Sequence, residues 1–456
     1  MYAKNAWLKY DEKSFKDVMD FNEGYKDYIT KGKTERFCVI ETEKIALANG
    51  FKKLDEYDTL QKGDKVYAIN KNKNIALFVI GEKPVVEGLH ILGAHIDSPR
   101  LDLKQNPLYE KGDMAFLDTH YYGGIKKYQW VTIPLAITGV VIKKDGTTID
   151  VNIGDGENDP VVGITDLLIH LSGDQMRKTA SEVITGEDLD VTLGSIPLKD
   201  SEKEAVKQNV LNIIKEKYGF EEEDFISAEL EVVPQGPAKD YGLDRGMVAG
   251  YGHDDRVCAY TSLKALIDAG VCEYTSCCIL VDKEEVGSIG ATGAQSLFFE
   301  NVIAEIINKT TTYNDLLLRK ALTNSKMLSS DVSAGFDPIY PQVNEAKNTA
   351  YLGKGLCINK YTGSRGKSGC NDANPEFIAE IRNVFDNDEV NYQTAELGRV
   401  DQGGGGTIAY ILGNYNMNVI DAGVPVLNMH APMEIVSKAD VYEAYKGYKS
   451  FLKNIK

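Results

Sequence analysis

VDKEEVGS, residues 281–288, follows directly on the apolar residues CCIL at 277–280. The pattern predicts a buried strand that emerges at its C-terminal end into a tight turn, with Gly287 serving the turn. The turn carries two adjacent carboxylates, Glu284 and Glu285. A carboxylate at the end of a buried strand is costly unless something positive meets it, and a metal ion is one such partner. A solvated acidic turn is the other reading of the pair, and the rest of the chain decides between them.

Toward the N-terminus, residues 89–96 form a second apolar run, LHILGAHI, closed by His95 and Asp97 and stopped by Pro99. A His-x-Asp at a strand end places both side chains on one side. That suits an imidazole ligand with an orienting carboxylate, or a core histidine beside a surface aspartate. Nearer the turn, GHDDR (252–256) opens a predicted helix with Asp254 and Asp255, whose core stripe is Val257, Tyr260, Leu263 and Ile267. Carboxylates there also suit the helix dipole. NSKMLSSDVSAGFDP predicts a strand ending at Asp331, and VPVLNMHAPME one ending in His430. Further helices are expected over 13–50, over 201–218 behind a Ser201/Glu204 capping box, over 290–307, from Asn374–Pro375, and after Ser437 and Asp440.

Between these blocks the texture changes. Residues 101–234 read as successive strands with a Lys-Asp-Gly turn at 144–146, and PQGP (234–237) marks the return. The reading is an α/β chain with a central sheet flanked by helices, built from 1–100 and 235–456, with a β-rich domain inserted at 101–234. His95, Asp254, Glu285, Asp331 and His430 all fall at predicted strand ends or helix starts. In an α/β sheet the carboxyl ends of parallel strands share one edge, where sites form. Two imidazoles and three carboxylates satisfy two metals about 3.5–4 Å apart if one carboxylate bridges. Imidazole with hard oxygen favours Zn²⁺, with Mn²⁺ or Co²⁺ as alternatives.

Composition narrows the function further. The 456 residues are 43% hydrophobic and 26% charged, with a net charge of −17. No basic face for nucleic acid is in view, and no apolar run reaches the roughly 20 residues of a membrane span. The N-terminus lacks the apolar core of a signal peptide. Seven cysteines without C-x-x-C spacing point to a reducing, cytoplasmic setting.

GAHIDSPRLDL (93–103), GHDDR, DKEEVGS (282–288), SSDVS (329–333) and NMHAPME (428–434) closely resemble the aspartyl aminopeptidase / aminopeptidase I family of co-catalytic zinc exopeptidases. The resemblance spans nearly the whole chain, including the insertion. It implies a zinc-exopeptidase catalytic domain with an inserted dimerisation domain, and a large homo-oligomer, usually a dodecamer. It implies two Zn²⁺ per subunit, with Asp254 bridging, His95 and Asp331 on one ion, and Glu285 and His430 on the other. Glu284 then resembles the general base and Asp97 the carboxylate orienting His95. His170, in DLLIHLSGD, is either a packing histidine or a residue that reaches a neighbour's active site.

The family's acid-selective members carry a histidine shortly after the metal-binding aspartate. Here Ala334 stands near that place, and LCIN (356–359) occupies the neighbourhood of their downstream basic residue. The resemblance is therefore closer to aminopeptidase I-like members, with a neutral N-terminal residue preferred. Alternative readings are a deacylase or carboxypeptidase on the same fold, for which Arg256, Arg365 or Arg399 would bind a carboxylate, and a non-catalytic assembly protein. The glycines 403–406 could approach a substrate's main chain. As a phosphate cradle GGGGT lacks the Lys–Ser/Thr pair.

Overall fold

The computed structural model describes residues 3–156, 158–201 and 203–456. Residues 89–96 yield the strand Leu89–His95, buried along its whole length, and it lies in the middle of a nine-stranded mixed sheet. Thr275–Val281 pairs with it in parallel on one side, with Val281 level with His95. Lys326–Ser329 pairs in parallel on the other, with Ser329 level with Gly93, and Asn418–Gly423 extends the parallel set. Further strands complete the sheet on both flanks, among them Asn74–Val79 and Leu356–Asn359, each antiparallel to its central neighbour.

These strands read as nearly unbroken apolar runs because both faces are covered. Leu92, Ala94, Cys278, Leu280, Leu328 and Ile420 face one core, shared with Val257 and Leu263 of the helix His253–Ala269 and with Val441 and Phe451 of the helix Lys438–Asn454. Ile91, Cys277, Ile279, Met327 and Val419 face the other, packed on Ile303 and Ile306 of Phe298–Thr310 and Leu318 of Asp315–Asn324. This compact unit runs up to Asp97 and resumes over Ala238–Met429 and Glu434–Lys456.

The second unit comprises Ser98–Pro237 and His430–Met433. It is built on a six-stranded antiparallel sheet and carries the helix Ala205–Tyr218. Arg100 is nearly buried there, with Nε 2.8 Å from Asp102, 3.2 Å from Glu231, and its guanidinium over the Tyr122 ring.

Several local expectations are corrected. The helical stretch 13–50 is two helices, Glu12–Lys31 and Glu35–Ala48, capped by Asp11 and Thr34. The helix expected from 201 begins at Ala205, because Glu204 is left-handed and the Ser201 hydroxyl donates to the Lys203 carbonyl instead of capping. The one expected from 290 begins at Phe298. Among the described residues no helix is long and apolar enough to cross a membrane.

Asp440 does not cap its helix. Its carboxylate accepts the Gly353 and Gly355 N–H groups at 2.7 and 2.6 Å. Burial pushes this acid up from an ordinary 3.8 to about 8, against the two N–H donors and helped by Glu443. An acid with a raised folded pKa binds more protons when folded, so its contribution to stability is full below about pH 4 and is lost as pH rises through about 8. The melting temperature of the wild type minus that of Asp440→Asn should therefore fall steadily as the buffer is raised through this window. A difference that is flat with pH would refute the linkage.

Candidate active site

Parallel pairing sets the site. Val281 is level with His95, and Ser329 with Gly93, so two residues beyond Ser329 the chain places Asp331 at the height of His95. The Ser330 N–H donates to the Gly93 carbonyl at 2.6 Å and fixes that exit. His95 Nε2 then lies 4.0 Å from Asp331 Oδ1 and 3.2 Å from Asp254 Oδ1. Asp254 precedes the regular part of its helix, with a non-helical ψ of 106°. Its N–H donates to Glu434 Oε2 at 3.0 Å.

The VDKEEVGS turn forms as the sequence predicts. The strand ends at Val281, Lys283 turns left-handed, Glu284–Val286 make one 3₁₀ turn, and Gly287 has φ 98°. A side chain at Gly287 would be strained, so glycine is what lets the acidic pair return to the sheet edge. Glu284 Oε2 lies 3.9 Å from His95 Nε2. The donor atoms of His95, Asp254 and Asp331, and those of His95, Glu284 and Glu285, each gather within 4.8 Å.

Asp97, wholly buried, braces this arrangement. Its carbonyl oxygen is 3.0 Å from His95 Nδ1, with a carboxylate oxygen at 3.3 Å. Its two carboxylate oxygens accept the N–H groups of Glu284 and Glu285 at 3.1 and 3.2 Å. One residue thus orients the imidazole, through its carbonyl and carboxylate, and hangs the acidic turn from its carboxylate.

The electrostatics call for cations. Burial opposes charge on His95, but hydrogen bonds to Asp254 and Asp97 and the charge of Glu284 outweigh it and push the imidazole well above its usual range. Burial, together with Asp255, Glu284 and Asp254, holds the Asp331 carboxyl well above the usual carboxylate range. Crowded carboxylates with one imidazole, at an edge where Glu284 and Asp331 retain slight exposure, form a donor set that fits divalent ions of the zinc type.

His430 belongs to the second unit, on the loop between the paired strands Pro425–Leu427 and Glu434–Ser437. Its Nδ1 is 2.9 Å from the Gly124 carbonyl oxygen. Donation there leaves the lone pair on Nε2, the tautomer a metal ligand needs. His170 is in the same unit, on the short turn Ile169–Leu171, and is exposed. The packing reading of His170 is therefore corrected.

Three residues escaped the sequence reading. Asp255 accepts the His95 N–H at 3.3 Å, Glu434 holds the Asp254 N–H, and Gly423 packs against the Asp331 backbone. The second Asp of GHDDR and the Glu that ends NMHAPME were visible signals for the first two.

Of the three arginines a carboxypeptidase could use, Arg256 is withdrawn from solvent, while Arg365 and Arg399 line a pocket with Gly363 and Gly403. Arg256 is fully buried with Nε on the Ile96 carbonyl at 3.1 Å. Arg399 donates to the Gln342 carbonyl, and Arg365 lies exposed on a loop. The glycine run serves packing first. A Cβ on Gly403 would lie 1.9 Å from the Leu397 carbonyl oxygen, one on Gly404 2.5 Å from Ser364 Cα, and the Gly405 N–H donates to Thr362.

An α/β sheet with carboxylates and an imidazole on the C-terminal edge of its parallel strands defines a metal-dependent hydrolase. Residues 28–452 match the family described as Aminopeptidase I zinc metalloprotease (M18), and the chain belongs to it. It is 61% identical over 456 residues to the probable M18 family aminopeptidase 1 of Clostridium acetobutylicum, covering 99% of this chain and 98% of that one. Its fold matches the crystal structure of the M18-family aminopeptidase of Thermotoga maritima with a TM-score of 0.96 at 44% identity, over 99% of both chains. The dodecamer structure of S. cerevisiae mApe1 shares the fold, with a TM-score of 0.77 at 21% identity over 96% of each chain. The activity is metal-dependent aminopeptidase.

Because Asp97 holds both the imidazole and the acidic turn, Asp97→Ala should lower kcat/KM by about 10–100-fold, the scale of lost outer-shell support. Far-UV circular dichroism should be unchanged. Full activity in a folded Asp97→Ala variant would remove this bracing role.

Proposed function

We propose that the chain removes N-terminal residues from peptides at this edge cluster, with Glu284 as general base. The observation that supports it most is the gathering of Asp254, Asp331, Glu284 and Glu285 around His95. In this reading His95 and Asp331 would hold one ion, Glu285 and His430 a second, and Asp254 would be shared between them. Two zinc ions, or Mn²⁺ or Co²⁺, held there would supply Lewis acidity toward a water and the scissile carbonyl. Glu284 takes the proton of the attacking water and returns it to the leaving amine. Asp97 keeps His95 and Glu284 aligned while this happens. The substrate's free amine is held at the same cluster, which limits cleavage to the first peptide bond. Ala334 and the LCIN strand bring no positive charge beside Asp331, so a neutral first residue is favoured over Asp or Glu. Seven unbridged cysteines suit a cytoplasmic setting.

The β-rich unit supplies the assembly surface in this reading. Leu168, Ile169, Leu171 and Met176 are 53–69% exposed there, a run of apolar side chains that calls for a partner. That partner is a second copy, in a particle of dodecamer size. His170, within the run, donates to the tetrahedral oxyanion at a neighbour's site, a contact that strengthens as charge develops.

Elemental analysis should find about two divalent ions per chain, with Glu285→Ala or His430→Ala losing at least one. Glu284→Gln should keep the ions and lower kcat by roughly 10²–10⁴-fold. Protein purified without chelators that contains no metal, and whose activity resists a chelator, would overturn the site.

Light scattering should give a particle far above the 50.3 kDa chain mass. His170→Phe should keep assembly and metal yet lose about 10²-fold in activity. Particles reassembled from His170→Phe and Glu284→Gln chains should regain part of it. No recovery in verified mixed particles would leave His170 without a shared catalytic role.

A further inference from the structure

Gly423 ends the strand Asn418–Gly423, is buried, and lies outside the left-handed region. Any residue could adopt its backbone, so what singles it out is space. A Cβ there would lie 1.7 Å from the carbonyl oxygen of Asp331, 2.4 Å from its carbonyl carbon and 3.0 Å from the Val332 nitrogen. These are backbone atoms and cannot rotate aside. The same peptide is held on both flanks: the Ser330 N–H donates to the Gly93 carbonyl at 2.6 Å, and the Ser333 N–H to the Val424 carbonyl at 3.0 Å. A side chain at 423 must therefore displace Asp331 or break one of these pairings.

We infer that Gly423 is a positioning residue whose missing side chain seats the backbone of Asp331, and so sets the affinity of the ion that Asp331 and His95 hold. This rests on the reading of Asp331 as a ligand. Magnitudes decide the effect. Relieving the contact takes a shift on the order of 1 Å, whereas a metal–ligand distance tolerates about 0.2 Å. Asp331 Oδ1 stands 4.0 Å from His95 Nε2 across the space the ion would take, so a backbone shift is felt there directly.

Gly81 supplies the control. A Cβ on it would lie 2.3 Å from the Tyr274 carbonyl carbon and 2.5 Å from the Thr275 nitrogen, also backbone and also without positive φ. It abuts the start of the Thr275–Val281 strand, the end remote from Glu284. Gly423→Ala and Gly81→Ala should both lower the melting temperature of the stripped protein. Titration with Co²⁺ alone, followed by visible absorption, separates them. Gly423→Ala should bind one ion about 10–100-fold more weakly, the same ion that Asp331→Asn loses, while Gly81→Ala titrates as wild type.

Wild-type Co²⁺ affinity in Gly423→Ala, with an ion lost in Asp331→Asn, overturns the positioning role and leaves the ligand reading intact. Retention of both ions in Asp331→Asn sinks the ligand reading, and this inference with it. Should Gly423→Ala fail to fold, Asp331→Glu carries the test without a clash at Gly423. A rigid seat cannot retreat to fit the longer side chain, so the same ion should weaken by about tenfold or more. Undiminished affinity in Asp331→Glu would mean the seat is not rigid.

Discussion

The Asp97 carboxylate accepts the peptide N–H groups of Glu284 and Glu285, while its own carbonyl meets Nδ1 of His95. These few bonds join two parallel strands at the point where both run out. Without them the acidic turn would be a loop of like charges with every reason to swing toward water. With them, two glutamates are held beside an imidazole and two aspartates. The bonds come from the backbone of the turn, so the glutamate side chains keep their oxygens for other work. A wholly buried acid is costly by itself. Here its oxygens are met by N–H groups, which is the condition under which such an acid persists.

The cluster also explains the shape of the sheet around it. Four strands run parallel so that their C-terminal ends lie side by side, and the antiparallel strands are confined to the flanks. Covering both faces frees the edge to be polar. The charge is then concentrated where the chain leaves regular structure, and the interior of each strand stays apolar. The net charge of −17 on the whole chain says little about this local field, which is set by which carboxylates share a low-dielectric edge.

Much of this was legible in the sequence, and for a physical reason. Strand ends, tight turns and apolar runs are written in neighbouring residues, so Val281–Ser288, His95 and Asp331 could be located without knowing what lay across from them. Failures came where a partner other than the expected one decided the outcome. Ser201 and Glu204 spell a capping box, yet the left-handed Glu204 and a local hydroxyl bond move the helix start to Ala205. Asp440 stands where a helix-start acid belongs, but its oxygens go to Gly353 and Gly355, more than eighty residues away. Nothing near Gly423 in sequence announces that the Asp331 peptide lies against it. His170 sits in an apolar stretch, which spells core until the fold leaves that stretch exposed.

The loop carrying His430 has a bearing on modularity. The histidine is counted with the β-rich unit although the strands on either side of it belong to the other, and its Nδ1 proton goes to the carbonyl of Gly124. An inserted module that begins at Ser98 and ends at Pro237 looks removable, as if evolution or an engineer could excise it and rejoin the ends. Excision would take Gly124 with it, and the His430 imidazole would be left to choose its tautomer in water. The insertion and the histidine are therefore tied together by that contact, and shuffling this hydrolase into a smaller single-piece scaffold requires finding that imidazole a new carbonyl.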